Sequence, residues 1–151
     1  MKDIGVLGEE LTSRWLELQD YDLLQQNWRC RWGEIDIIAQ DRDNQAIAFV
    51  EVKTRSKNNW DEGGLLAVDA IKQGKMIKTA SLFLAKYPLL GELPCRFDLA
   101  LVGYTKLMPI SKNIDAEIDL QNITRLAIGQ PIIIEQYQLT IKKYLQSAFE
   151  L

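Results

Sequence analysis

An α/β domain built on a mixed sheet is the fold class this sequence predicts, and three patterns predict it. Apolar residues near the start recur at steps of three and four, as on one face of a helix, and three consecutive runs then carry the β-branched and aromatic residues of strands. Helical spacing returns once and gives way to another apolar run, so helices and strands are interleaved rather than segregated. No internal repeat, low-complexity stretch or linker interrupts the chain. Residues 1–151 therefore read as a single domain, with 1–103 as core and 104–151 as a C-terminal extension packed on it.

From about Ile4 to Gln19, the residues Ile4, Leu7, Leu11, Trp15 and Leu18 form the apolar face of an amphipathic helix. Gly5, Gly8 and Thr12 make a small-residue flank, and Glu9 lies beside it, away from the apolar stripe. A glycine inside a helix costs roughly 1 kcal/mol against alanine, so two of them point to another backbone passing close by. Either this is tight helix–sheet packing with Glu9 exposed, or the glycines bring Glu9 over the sheet and into a site. Tyr21 to Trp28 reads as a first strand, Gly33 as a turn and Glu34 to Ala39 as a second strand. The cluster Asp41-Arg42-Asp43-Asn44 is a turn, and Ala46 to Lys53 forms a third strand antiparallel to the second.

Ser56 to Gly64 is polar and reads as a loop. Asp69 can cap a helix running to about Tyr87, with Ile71, Met76, Ile77, Ala80, Phe83 and Leu84 inward and Pro88 past its end. Cys95 to Val102 is a further strand. Beyond Tyr104 the pattern blurs; a strand from Ile132 to Tyr137 and a closing helix from Ile141 to Phe149 are expected.

Composition excludes several chemistries. The chain has no histidine, which removes Ser-His-Asp and Cys-His catalysis and HExxH zinc hydrolysis. Acid–base or metal chemistry must then run on carboxylates, lysines, tyrosines or water. No GxxxxGK[ST] or strand-to-helix GxGxxG string is present, so nothing points to nucleotide chemistry. Cys30 and Cys95 lack CxxC spacing and read as free thiols in a reducing cytoplasm. No apolar run approaches the roughly 20 residues of a membrane span. Met1-Lys2-Asp3-Ile4-Gly5 lacks the basic start and apolar stretch of a signal peptide, so a cytoplasmic protein is expected. The formal net charge of −3 argues against a general polyanion binder, although a local basic patch is compatible with it.

The most informative residues stand inside the second and third strands: Gly33-Glu34-Ile35-Asp36-Ile37-Ile38 and Phe49-Val50-Glu51-Val52-Lys53-Thr54-Arg55. Charges in such apolar runs are costly unless they are paired or bind something. Side chains alternate along a strand, so Glu51 and Lys53 share a face about 7 Å apart at the backbone, and Asp36 can project toward Glu51 from the paired strand. Two carboxylates plus a backbone carbonyl such as that of Val52 make a hard oxygen cage suited to Mg²⁺ or Mn²⁺. Such a metal activates water and neutralises charge developing on a scissile phosphate, with Lys53 assisting. A salt-bridged Glu51–Lys53 pair on a solvated strand face is the other reading, and spacing alone does not choose between them.

Gly8-Glu9, Asn27-Trp28-Arg29, Gly33-Glu34-Ile35-Asp36, Phe49-Val50-Glu51-Val52-Lys53-Thr54-Arg55, Ala67-Val68, Lys72 and Arg96-Phe97-Asp98 occur in one order. Together these strings resemble the YraN-type family of bacterial proteins, related to the PD-(D/E)xK nuclease superfamily and to archaeal Holliday-junction resolvases. The resemblance covers roughly Ile4 to Val102. It implies a restriction-endonuclease-like fold with a central mixed sheet flanked by helices. It also implies Asp36 and Glu51 as metal ligands, Lys53 as the catalytic lysine and Glu9 as an additional acid near the metal. Isoleucine precedes Asp36 where the superfamily name has proline, and Thr12 stands where the family's first helix usually has alanine.

The function expected is metal-dependent endonucleolytic hydrolysis of DNA, on branched or damaged substrates. The alternative is a catalytically inactive module of the same fold that binds nucleic acid or a protein. DNA-facing positions would be Arg29 and Arg31 before the site strand, Arg55 and Lys57 after it, and Lys72, Lys75 and Lys78 along the long helix; a solvated helix face would serve that row equally. Asp98 reads as paired with a neighbouring arginine. Trp28 and Trp32 fit core or turn packing, and Trp60 partner contact. No membrane partner is expected, and a homodimer through the tail fits either reading.

Overall fold

The computed structural model describes residues 2–56, 68–108 and 119–149. Their order is α1 (Ile4–Leu18), β1 (Tyr21–Cys30), β2 (Gly33–Asp41), β3 (Ile47–Ser56), α2 (Ala70–Lys86), β4 (Cys95–Lys106), β5 (Ile132–Ile134) and β6 (Tyr137–Phe149). Most of the loop expected from Ser56 to Gly64, with Lys57 and Trp60, lies outside the described residues.

The six strands form one sheet in the order β1-β2-β3-β4-β6-β5. β3 and β4 run parallel and the other neighbours antiparallel, so the sheet is mixed. A parallel pair requires a crossover connection, and α2 lies within it. This α/β arrangement, a mixed sheet with helices against it, is compatible with the restriction-endonuclease-like fold. Among the described residues no helix is long and apolar enough to cross a membrane.

Each sheet face buries its own core. Leu7, Leu11 and Leu16 of α1 pack on Ile37, Ala39, Ala48, Val50, Val52, Ala100 and Val102. On the other face Met76, Ala80 and Phe83 of α2 meet Ile38, Ile47, Phe49, Phe97, Leu99 and Leu101. Phe83 makes edge contacts with Phe49 at 6.1 Å and Trp28 at 5.4 Å, which puts Trp28 in the core margin. Asp3 caps α1 and Asp69 caps α2, each carboxylate accepting a backbone N–H of the first turn. Gly8 explains one helix glycine: a Cβ there would sit 3.2 Å from the Thr54 Cβ and nearer still to its hydroxyl, so α1 crosses β3 tightly at this point.

Three expectations change. Ile71 is 74% exposed rather than inward, because in the first turn of α2 it points away from the sheet. The strand expected from Ile132 to Tyr137 is broken at Glu135, whose φ of 55° opens a tight hairpin from β5 into β6. The expected closing helix, Ile141 to Phe149, is instead strand β6, paired along β4. Its apolar spacing suits either element, and the open edge of β4 supplies backbone partners that a helix would not use.

Candidate functional site

The β2–β3 ladder runs from Gln40↔Ile47 to Ile37↔Val50 and ends there. In register, the next β3 donor, the Val52 N–H, would face Ile35. It donates instead to Asp36 Oδ2 at 2.8 Å. The side chains around Asp36 show why. Ile37 belongs to the α1-side core and Ile35 to the α2-side core although they are two positions apart, so alternation slips at Asp36. Opposite this slip, Asn27 of β1 has a left-handed φ of 51°, which asparagine tolerates better than most residues. The Asp36 carboxylate thus reaches from β2 to the backbone of β3.

Glu51 follows Phe49 by two positions and faces α2. Asp36 and Glu51 are 6% and 5% exposed, unusual for acids. Lys53, two residues on, places its ammonium 3.6 Å from Glu51 Oε1. The same Oε1 accepts a direct hydrogen bond from Lys72 Nζ of α2. Glu9 of α1 is half-buried and faces Asn27 and Asp36. Asp36, Glu51, Lys72, Lys75, Met76 and Thr79 line a cleft of about 140 Å³ beneath Trp32, Gly33 and Glu34.

Electrostatics follow from this crowding. Burial, then the charge of Glu51, pushes Asp36 up to about 8, against the opposing pull of the Val52 N–H. Burial also raises Glu9, while hydrogen bonding with Asn27 and Asp36 opposes the rise. Lys53 is lowered, first by burial and then by the Lys72 ammonium beside it. For Lys72, burial acts to lower the value, but pairing with Glu51 outweighs it and the net direction is up.

The other basic residues take varied positions. Arg29 is exposed and its Nε pairs with Glu34 at 2.6 Å. Arg31 and Lys78 stand over the ring of Trp32, at 5.0 and 4.3 Å from its centroid, so Trp32 is packed at the turn and over a third exposed. Lys75 is exposed at the cleft, and Arg55 is exposed with Nη1 on the Thr54 carbonyl. Lys72, read from sequence as part of a surface row, instead enters the cleft. Lys72, Lys75, Met76 and Thr79 share one helical face, and the buried Met76 four residues on was a legible signal for it. Asp98 is paired as expected, with Arg96 Nε at 3.0 Å, and also accepts from the Tyr144 hydroxyl at 2.6 Å and the Ser147 N–H at 3.0 Å. Cys30 and Cys95 are free.

Residues 8–102 match the sequence profile of Uncharacterised protein family UPF0102. The chain belongs to this family. UPF0102 relatives match it nearly end to end. One from Synechocystis sp. is 47% identical over 150 residues, covering 99% of each chain. Another, from Acaryochloris marina, is 46% identical and covers 98% of this chain and 90% of its own. A third, from Trichodesmium erythraeum, is 44% identical over 97% of this chain and 88% of its own. The UPF0102 profile spans Glu9, Asp36, Glu51, Lys53 and Lys72 alike. The YraN-type resemblance read from the Gly-Glu-Ile-Asp and Phe-Val-Glu-Val-Lys-Thr-Arg strings holds.

Proposed function

We propose that this protein is a metal-dependent endonuclease that hydrolyses phosphodiester bonds of DNA, with branched or damaged DNA as the substrate class. The observation that carries the reading is the convergence of two almost fully buried carboxylates, Asp36 and Glu51, on one cleft with Lys72, and the approach of Lys53 to within 3.6 Å of Glu51. Buried acids that repel one another are destabilising, and such arrangements cluster where chemistry requires them.

The donor set suits Mg²⁺ or Mn²⁺. Asp36 Oδ2 accepts the Val52 N–H, and a carboxylate with one such bond keeps lone pairs for a cation. The N–H and C=O of one strand residue point the same way, so the Val52 carbonyl also faces the side where the ladder has ended. Two carboxylates and one carbonyl are the hard oxygen ligands that such cations accept, with waters and a substrate phosphate completing the shell. Bound there, the cation would supply charge neutralisation at the scissile phosphate and a more acidic water. Lys53, its pKa lowered, is suited to exchange a proton with water and to stabilise the extra negative charge on the phosphate. Glu9 adds an acid behind Asp36. Arg31, Lys75 and Lys78 would contact the DNA backbone around the cleft.

The test is incubation of the pure protein with labelled duplex, flap and four-way-junction DNA plus Mg²⁺ or Mn²⁺. Cleavage is expected, with a loss of at least about 10²-fold in Glu51→Ala and Lys53→Ala. Cleavage that survives both substitutions comes from a contaminant and removes the assignment. The Lys72 ammonium on Glu51 favours a second reading, a module that binds DNA without cutting; DNA binding with no cleavage under any condition would select it.

A further inference from the structure

We infer that Lys72 is the resident counter-ion of Glu51, holding the place of a divalent cation until a DNA phosphate draws it away, so that cation binding and DNA binding are coupled through this one lysine. The inference rests on the metal reading of the site. Glu51 is buried and needs a positive partner in the absence of a metal. Two lysines compete for its Oε1, and they are not equivalent. Lys53 lies 3.6 Å away with a side chain only 16% exposed, on the same face of β3 as Glu51. Lys72 makes the direct bond, yet its side chain is 36% exposed and reaches in from the cleft mouth.

Its backbone is fixed, since the Lys72 N–H donates to the capping Asp69 at 2.8 Å, while four methylenes leave the ammonium free to swing. An ammonium and a divalent cation at one carboxylate oxygen would repel at close range. Lys72 must therefore leave Glu51 when a cation takes that oxygen. The anion best placed to receive the displaced ammonium is a phosphate entering the cleft lined by Lys72 and Lys75. Thermodynamic linkage then requires each ligand to strengthen binding of the other by the same factor.

The experiment is a Mn²⁺ titration of the full chain, read from the electron paramagnetic resonance signal of free Mn²⁺, with and without a phosphorothioate-substituted four-way junction that resists cleavage. In wild type, DNA should tighten Mn²⁺ binding. Lys72→Met should tighten it without DNA by about tenfold or more, the scale of one charge-assisted hydrogen bond, and should erase most of the DNA effect. Lys72→Arg, which keeps the charge, should follow wild type. Lys72→Gln serves as a second neutral variant should Lys72→Met fail to fold. If Glu51→Gln abolishes Mn²⁺ binding but the neutral Lys72 variants leave it unchanged or weaker, the exchange is overturned while the metal site stands. No Mn²⁺ binding by any variant, with or without DNA, overturns the metal reading itself and the exchange with it.

Discussion

Replacing Asp36 by asparagine should stabilise the metal-free protein at neutral pH. The Asp36 carboxyl sits near 8, against an ordinary value of 3.8, chiefly because burial and then the Glu51 charge disfavour its ionised form. An acid whose pKa is raised on folding holds its proton more tightly in the folded state. Its contribution to stability is complete below pH 3.8 and is lost as pH rises toward 8. At 1.36 kcal/mol per unit, the loss at pH 7 reaches about 4 kcal/mol, and coupling of Asp36 to the neighbouring Glu9 reduces it, so about 2–4 kcal/mol is expected. Asparagine keeps an acceptor for the Val52 N–H and carries no charge. For a domain of this size the gain corresponds to a rise in Tm of roughly 5–15 °C. The assay is thermal unfolding in chelator from pH 5 to 8: wild type should lose stability across that range, and Asp36→Asn should lose much less. An asparagine variant less stable than wild type at pH 7, or one with an unchanged pH slope, would refute the reasoning.

What the sequence revealed of this site, and what it concealed, follows from which interactions are local. Glu51 and Lys53 share a face because strand alternation holds along β3, and the surrounding valines and Phe49 mark that strand plainly. The α1 stripe and the Asp69 cap are local in the same sense. Asp36 is different: simple alternation places it on the Glu51 face, whereas the slip between Ile35 and Ile37, with Asn27 left-handed across the ladder, turns its carboxylate onto the Val52 N–H. That slip exists only once three strands are assembled. The Lys72–Glu51 contact is hidden from the sequence for a related reason, since the two residues lie 21 positions apart on different elements. The β6 segment reads as a helix in the sequence because Ile141, Tyr144, Leu145 and Phe149 fit a helical face as well as a strand, and only the free edge of β4 decides.

Two further substitutions separate packing from site chemistry. Gly8→Val should destabilise by about 1–3 kcal/mol in urea unfolding, because its side chain runs into Thr54, and Thr54→Ala in the same chain should recover part of the loss; an unaffected single variant would mean α1 can shift freely over β3. Asp98→Ala should cost about 3–5 kcal/mol and leave Mn²⁺ binding intact. Asp98 is fully buried, and its removal leaves the Arg96 guanidinium, 12% exposed at its side chain, with only the Tyr21 hydroxyl and the more distant Asp41 carboxylate at 3.9 Å, and takes the acceptor from the Tyr144 hydroxyl and the Ser147 N–H. Asp98 lies on β4 in register with Val50 and faces the α1-side core, whereas Glu51 faces α2. A folded Asp98→Ala protein that lost Mn²⁺ binding would therefore place Asp98 in the metal site and contradict its purely structural pairing.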